Sequence, residues 1–143
     1  MGPLVVTHPP SAGSPASTAT LHTDGVDRRH PVLARVIAAG VTVSSDVDLF
    51  CRASSAPIIA VTGSNGKTTV THLLAEVFQA AGKSVRIGGN VGVPVLALLS
   101  ESVPDYYILE LSSFQLEMVT ALRQHVAVIL NIMPDHMDRY DDF

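Results

Sequence analysis

Pro57-Ile58-Ile59-Ala60-Val61-Thr62-Gly63-Ser64-Asn65-Gly66-Lys67-Thr68-Thr69 is the stretch on which the fold of this chain turns. Residues 58–61 form a continuous apolar run, the pattern of a strand buried on both faces of a parallel sheet. Beyond the glycine-containing turn, Val70, Leu73, Leu74, Val77, Phe78 and Ala81 recur at helical spacing, and Gly82 stands where a helix ends. Strand, turn and helix thus follow in order. In such a turn, backbone N–H groups and the helix N-terminus converge on an anion, with Lys67 within reach of outer phosphates. Thr68 offers a hydroxyl suited to Mg²⁺. Val61 occupies the place of the first glycine in the strict glycine, four residues, Gly-Lys-Thr pattern. The alternative is a polar strand-to-helix turn closed by an ordinary N-cap.

The alternation continues on both sides. Strands are expected at residues 84–87, 106–111 and 126–132, with helical segments at 94–99 and 115–122. Repeated strand-helix-strand units imply an α/β fold, a doubly wound parallel sheet with right-handed crossovers and flanking helices. Upstream, Pro31 suits a first helical position, with Val32, Leu33, Val36 and Ile37 at helical spacing and Gly40 at the end. A brief strand at 41–43 and a helix at 46–52 complete this part. Residues 1–23 contain no Asp, Glu, Lys or Arg and hold four of the nine prolines. Residues 1–26 are therefore expected to be a disordered or irregular leader, in which Leu4-Val5-Val6 is the one strand-like triplet. Of the 143 residues 47% are hydrophobic and 15% charged, with net charge -4, against about 25% charged in a typical soluble domain. That balance suits a buried parallel sheet and gives no basic surface for nucleic acid or anionic membrane. Cys51, the single cysteine, forms no intrachain disulfide and lacks zinc-ligand spacing. With no secretory segment and no run of about 18 apolar residues, a cytoplasmic protein is expected.

Three further positions carry candidate chemistry. Asn90 lies in Gly88-Gly89-Asn90-Val91-Gly92, after a strand and before Pro94, where glycines let backbone approach a ligand and the amide can bond phosphate or carboxylate oxygen. A plain tight turn would use the same residues. Glu110 is the one charge in Tyr106-Tyr107-Ile108-Leu109-Glu110-Leu111, near the strand end that borders the ligand crevice of an open parallel sheet. A carboxylate there can hold a nucleotide's Mg²⁺ directly or through water. An edge-strand glutamate in solvent or a salt bridge is the alternative. His136 lies in Asp135-His136-Met137-Asp138-Arg139-Tyr140, four ionisable groups within five positions of one another past the last strand, and can ligate a metal as neutral imidazole. A solvated loop histidine is the alternative. His72 is expected at the surface, and no guanine-reading Asn-Lys-x-Asp occurs.

Together, Thr62 to Thr69, Gly88 to Pro94, Glu110-Leu111-Ser112-Ser113-Phe114-Gln115-Leu116-Glu117 and Asp135 to Tyr140 resemble the Mur ligases, most closely the members that add D-glutamate. The resemblance covers residues 27–143. It implies a three-domain parent: a uridine-nucleotide domain, a central ATPase domain and a domain for the incoming amino acid. Residues 27–56 then read as a remnant of the first domain and linker, and 57–143 as the first part of the second. Carried over residue by residue, Gly63, Ser64, Asn65, Gly66, Lys67, Thr68 and Thr69 hold ATP phosphates, and Thr68 and Glu110 serve one Mg²⁺. Glu110 and His136 serve a second, with Lys67, Glu110 and His136 catalytic and Asn90 and Ser112 at the muramoyl substrate or transferring phosphoryl group. The implied reaction joins D-glutamate to UDP-N-acetylmuramoyl-L-alanine through an acyl phosphate, in a monomeric parent that makes peptidoglycan precursor. The chain itself is expected to be an inactive fragment, because the family's downstream metal-bridging lysine and amino-acid domain fall beyond Phe143. Two other readings stay open: another amide ligase of this superfamily, and a non-enzymatic nucleotide-binding remnant.

Overall fold

In a computed structural model of the protein, residues 18–20, 31–39, 42–100, 102–120 and 122–134 are described. A short parallel pair comes first. It comprises β1 (Thr18–Thr20) and β2 (Thr42–Ser44), with α1 (Pro31–Ala38) between them in sequence. The main unit follows as α2 (Asp46–Ala53), β3 (Ile58–Thr62), α3 (Lys67–Ala80), β4 (Val85–Gly89), a 3₁₀ turn (Val95–Ser100), β5 (Tyr106–Glu110), α4 (Ser113–Met118) and β6 (Val126–Ile129). Its four strands are all parallel in the order β4-β5-β3-β6.

This order fixes which face each connection covers. From β3 the chain passes over β5 to reach β4, then returns in the opposite direction to β5 and on to β6. Right-handed crossovers therefore require α3 on one face and the 3₁₀ turn and α4 on the other. Side-chain packing agrees. Ile59, Val61 and Ile108 pack with Ala75, Leu74 and Phe78 of α3. On the opposite face Ile58, Ala60, Tyr107 and Leu109 pack with Val47 and Phe50 of α2 and Val95 and Leu98 of the 3₁₀ turn. Strand β3 is thus covered on both faces, as its unbroken apolar run requires. The expected α/β sheet is present.

Several elements differ from expectation in extent. The helix expected at 94–99 is a 3₁₀ turn, with Ala97 N–H donating to Pro94 O (3.0 Å). The helical segment expected at 115–122 runs Ser113–Met118, begun by a Ser112 cap. Strand β6 stops at Ile129 because residues 130–133 turn onto the loop after β3. Thr18–Thr20 forms a strand inside a leader expected to be irregular, where β-branched threonines suit pairing with β2. Leu4-Val5-Val6 and Asp135 to Tyr140 lie outside the described residues. Although residues 27–56 read as a separate piece in sequence, α2 shares one core with the sheet. No helix among the described residues is long and apolar enough to cross a membrane.

Two carboxylates pin distant parts of this framework. Asp48, fully buried, accepts from Thr120 N–H (3.0 Å) and Thr120 Oγ1 (3.2 Å), and completes the capping box of α2 with Ser45. Asp105 Oδ2 accepts from Ser84 N–H (2.8 Å) and Ser84 Oγ (2.9 Å), tying the entries of β4 and β5. Those bonds, the backbone one foremost, hold the Asp105 carboxyl below its usual value. Asp48→Ala is expected to lower unfolding free energy by about 1–3 kcal/mol in urea titrations, since it removes the acceptor of the buried Ser45 N–H and of both Thr120 donors. A loss below about 0.5 kcal/mol, the range of ordinary surface changes, would show the link to be incidental. For Asp105 the folded pKa lies below the unfolded one, so its contribution is present above the ordinary aspartate range and lost as pH falls through the lowered value. Asp105→Asn should flatten that acid limb of a thermal-midpoint-against-pH curve.

Candidate functional site

The C-terminal edge of the parallel sheet brings together the ends of β3, β4, β5 and β6. At the end of β3 the backbone turns through two left-handed glycines, Gly63 (φ 140°) and Gly66 (φ 83°), conformations that side chains resist. Gly66 is the N-cap of α3 and supplies no side-chain cap. Hydrogen bonding within α3 starts with Val70 N–H donating to Gly66 O (3.0 Å), so the N–H groups of Gly66, Lys67, Thr68 and Thr69 are those a helix start leaves unpaired. They add to the positive end of a fourteen-residue helix dipole. Lys67 arches back over the turn, its Nζ donating to Gly63 O (2.6 Å) and Ser64 O (3.1 Å). Thr68 and Thr69 are exposed at the helix start.

Glu110 ends β5 beside this turn. In the parallel register it pairs with Val61 on one side and Gly89 on the other. Side chains alternate along a strand, so Glu110 shares the face of Ile108, two residues earlier, which is the face α3 covers. Its side chain is 3% exposed on an inner strand, which removes the reading of an edge glutamate in solvent. Oε1 accepts from Asn90 Nδ2 (3.2 Å), and the Glu110 carbonyl accepts from Asn90 N–H (2.8 Å). Gly89 (φ 120°) lies so close that a Cβ there would overlap the Glu110 carbonyl oxygen. Asn90, expected at a substrate, is thus turned toward Glu110. No cation lies within ion-pair distance of Glu110 among the described residues.

On the other side of β3, Leu130 N–H donates to Thr62 O (3.0 Å) and the chain continues across the loop. Ser64 N–H donates to Asn131 O (3.1 Å), Asn65 N–H donates to Asn131 Oδ1 (2.9 Å), and Asn131 Nδ2 donates to Asn65 O (3.0 Å). Met133 N–H donates to Ser64 Oγ (2.9 Å). Asn131 is the one strongly engaged residue of this edge that sequence reasoning passed over. Its signal was faint: an Asn at the first turn beyond an apolar strand. Ser112, expected near substrate, is the N-cap of α4, its Oγ accepting from Gln115 N–H (3.2 Å) while Ser112 N–H donates to Gln115 Oε1 (3.1 Å). His72 is exposed. His136 lies outside the described residues, and among the described residues no three His, Cys, Asp or Glu side chains converge.

The edge therefore combines an open helix start, an ammonium held over the turn and a buried carboxylate. Comparison with known proteins identifies relatives of this chain. Residues 61–143 match the Mur ligase middle domain. The UDP-N-acetylmuramoylalanine–D-glutamate ligases of Escherichia coli (strain K12) and Salmonella typhi are each 51% identical to it over 116 residues. That alignment takes in 81% of this chain and 26% of each relative, so the chain spans about a quarter of their length. The crystal structure of UDP-N-acetylmuramate:L-alanyl-gamma-D-glutamyl-meso-diaminopimelate ligase from Neisseria meningitides superposes with TM-score 0.51 at 20% identity, over 84% of this chain and 43% of that one. It shares the fold.

Gly89→Ala is expected to cost on the order of 2 kcal/mol or more, because it adds a Cβ both at positive φ and against the Glu110 carbonyl. Equilibrium denaturation measures it, and unchanged stability would contradict the close approach of β4 to β5.

Proposed function

The chain belongs to the Mur ligase family, and on that premise we propose that its sheet edge is the phosphate and metal part of an ATP-dependent amide ligase. The ligase adds D-glutamate to UDP-N-acetylmuramoyl-L-alanine in peptidoglycan precursor synthesis. The observation that carries this reading is the placement of buried Glu110 beside Val61, on the face of the sheet that α3 covers, at the edge where α3 begins. A carboxylate so buried costs several kcal/mol unless a cation or further hydrogen bonds offset it. Asn90 supplies one bond, and no basic side chain among the described residues supplies the charge. Magnesium, held by one carboxylate, a hydroxyl and phosphate oxygens, fits these residues.

ATP, when bound, supplies the phosphoryl group that activates the substrate carboxylate as an acyl phosphate, from which the amine of D-glutamate displaces phosphate. The chain's own residues position and neutralise. The unpaired N–H groups of Gly66, Lys67, Thr68 and Thr69 receive phosphate oxygens, within a loop that runs Gly63, Ser64, Asn65, Gly66, Lys67, Thr68, Thr69. Lys67 Nζ leaves the Gly63 and Ser64 carbonyls for the phosphates, and Thr68 with Glu110 holds one Mg²⁺. Glu110 and His136 hold a second. Asn90 orients Glu110 and borders the transferring group, and Ser112 stands two residues beyond Glu110 at the substrate side. Opposing charge fixed at such a centre stabilises a transition state as negative charge accumulates. On this reading residues 27–56 correspond to the end of the substrate domain and its linker, with α2 packed on the sheet, and residues 57–143 to the first part of the ATPase domain. We place the parent enzyme in the cytoplasm as a monomer.

A chimera tests this: the matching 116 residues of the Escherichia coli ligase are replaced by those of this chain, and D-glutamate incorporation is measured. Lys67→Ala should lower kcat on the order of a hundredfold or more, and Glu110→Gln should lower turnover with partial recovery at high Mg²⁺. An active chimera indifferent to both changes would refute the reading.

A further inference from the structure

The loop after β3 carries two sets of backbone donors with different commitments. Those of Gly66 to Thr69 are left open by the helix start, whereas those of Ser64 and Asn65 are taken by one residue, Asn131, 66 positions away from Asn65. Asn131 gives Asn65 both an acceptor and a donor, so its amide closes a reciprocal pair with the Asn65 backbone. Two positions on, Met133 and Ser64 are joined in the same manner, Met133 N–H donating to Ser64 Oγ and Ser64 Oγ lying 3.3 Å from Met133 O. Asn65 Nδ2 adds a contact to Met133 Sδ at 3.6 Å. The backbones approach closely: a Cβ on Gly63 would sit 3.1 Å from both Asn131 N and Asn131 O. The loop backbone is thereby clamped from the β6 side, immediately ahead of its open donors.

We propose that Asn131 is a positioning residue for phosphate binding, which with Ser64 forms a latch that holds the loop with the Gly66 to Thr69 N–H groups already converged. This rests on the reading of the loop as a phosphate site. Preorganised donors lose less freedom when ligand binds, so the latch raises affinity without touching the ligand. Asn131 and Asn65 lie outside the buried core, so loosening them is expected to leave the sheet core intact.

The full chain is compared as wild type, Asn131→Ala, Ser64→Ala, the double variant and Lys67→Ala. Amide hydrogen exchange is followed without nucleotide and Mg·ATP affinity by titration. Asn131→Ala removes the Oδ1 acceptor of Asn65 N–H and keeps the backbone carbonyl that pairs with Ser64, so it is expected to speed exchange at Asn65 while Ile108 and Leu109 keep their protection, and to weaken Mg·ATP binding about tenfold. The double variant should bind little worse than either single one, since both break the same latch. Unchanged exchange at Asn65, or unchanged affinity in Asn131→Ala, overturns the proposal, and so does a loss of protection that extends equally to Ile108 and Leu109, which marks a merely structural residue. A wild-type chain that does not bind Mg·ATP, or a Lys67→Ala variant that binds as well as wild type, refutes the phosphate reading itself and the positioning role with it.

Discussion

Thr62 is held from both flanks of the sheet: its carbonyl accepts Leu130 N–H (3.0 Å), and its hydroxyl donates to Leu111 O (2.9 Å). One residue earlier, Val61 O accepts Leu111 N–H (2.9 Å). The central strand is therefore paired to its last residue, and the turn into α3 must begin abruptly at Gly63. An abrupt turn from a strand buried on both faces demands positive φ, which Gly63 and Gly66 provide. It also delivers the start of α3 to the sheet edge, where the first N–H groups of the helix point away from the core. The open helix start at the sheet edge is a consequence of that geometry and not an addition to it.

Face parity does the rest. Because strand side chains alternate, and because the register pairs Val61 with Glu110, the carboxylate can lie only on the face that α3 covers. A one-residue slip of β5 would move Glu110 to the face packed by Val47 and Phe50, away from α3. Ile108, 0% exposed, and Tyr107, 2% exposed and edge-on to Phe50 at 4.9 Å, resist such a slip, since each would lose its own pocket. The apolar core on both faces thus fixes the position of the one charge.

Much of this was legible in the chain because it is local. The unbroken apolar run of β3, the stripe of α3 and the alternation of strands and helices follow from periodicities of two and 3.6, which short windows display. The glycine loop and Lys67 were legible for the same reason, and Glu110 stood out as a lone charge in an apolar strand. What escaped depends on pairs far apart in sequence. Asp48 reaches Thr120 across 72 positions and Asn131 reaches Asn65 across 66, and neither polar residue differs in local pattern from a solvated one. Ser112 is the exception, since Ser112-Ser113-Phe114-Gln115 carries the local spacing of the capping box that starts α4, and its role as a cap was open to sequence reading. Element ends were the other weak point: β6 ends early because the residues after it turn onto the loop after β3, a pairing far off in sequence.

The strand order explains why the missed and the recognised residues meet. With β3 between β5 and β6, the loop that leaves β3 is approached on one side by the residues that end β5 and on the other by those that leave β6. Glu110 and, through it, Asn90 of the next strand's exit form the β5 side; Asn131 and Met133 form the β6 side. The two sides carry different chemistry. The first places an anionic group in a buried setting that calls for positive charge, while the second offers neutral donors and acceptors that saturate the loop backbone at Ser64 and Asn65. With the β6 flank of the loop saturated, the N–H groups left open at the start of α3 and the buried carboxylate of Glu110 share one sheet edge, and on the reading proposed above they take phosphate oxygens and a cation there.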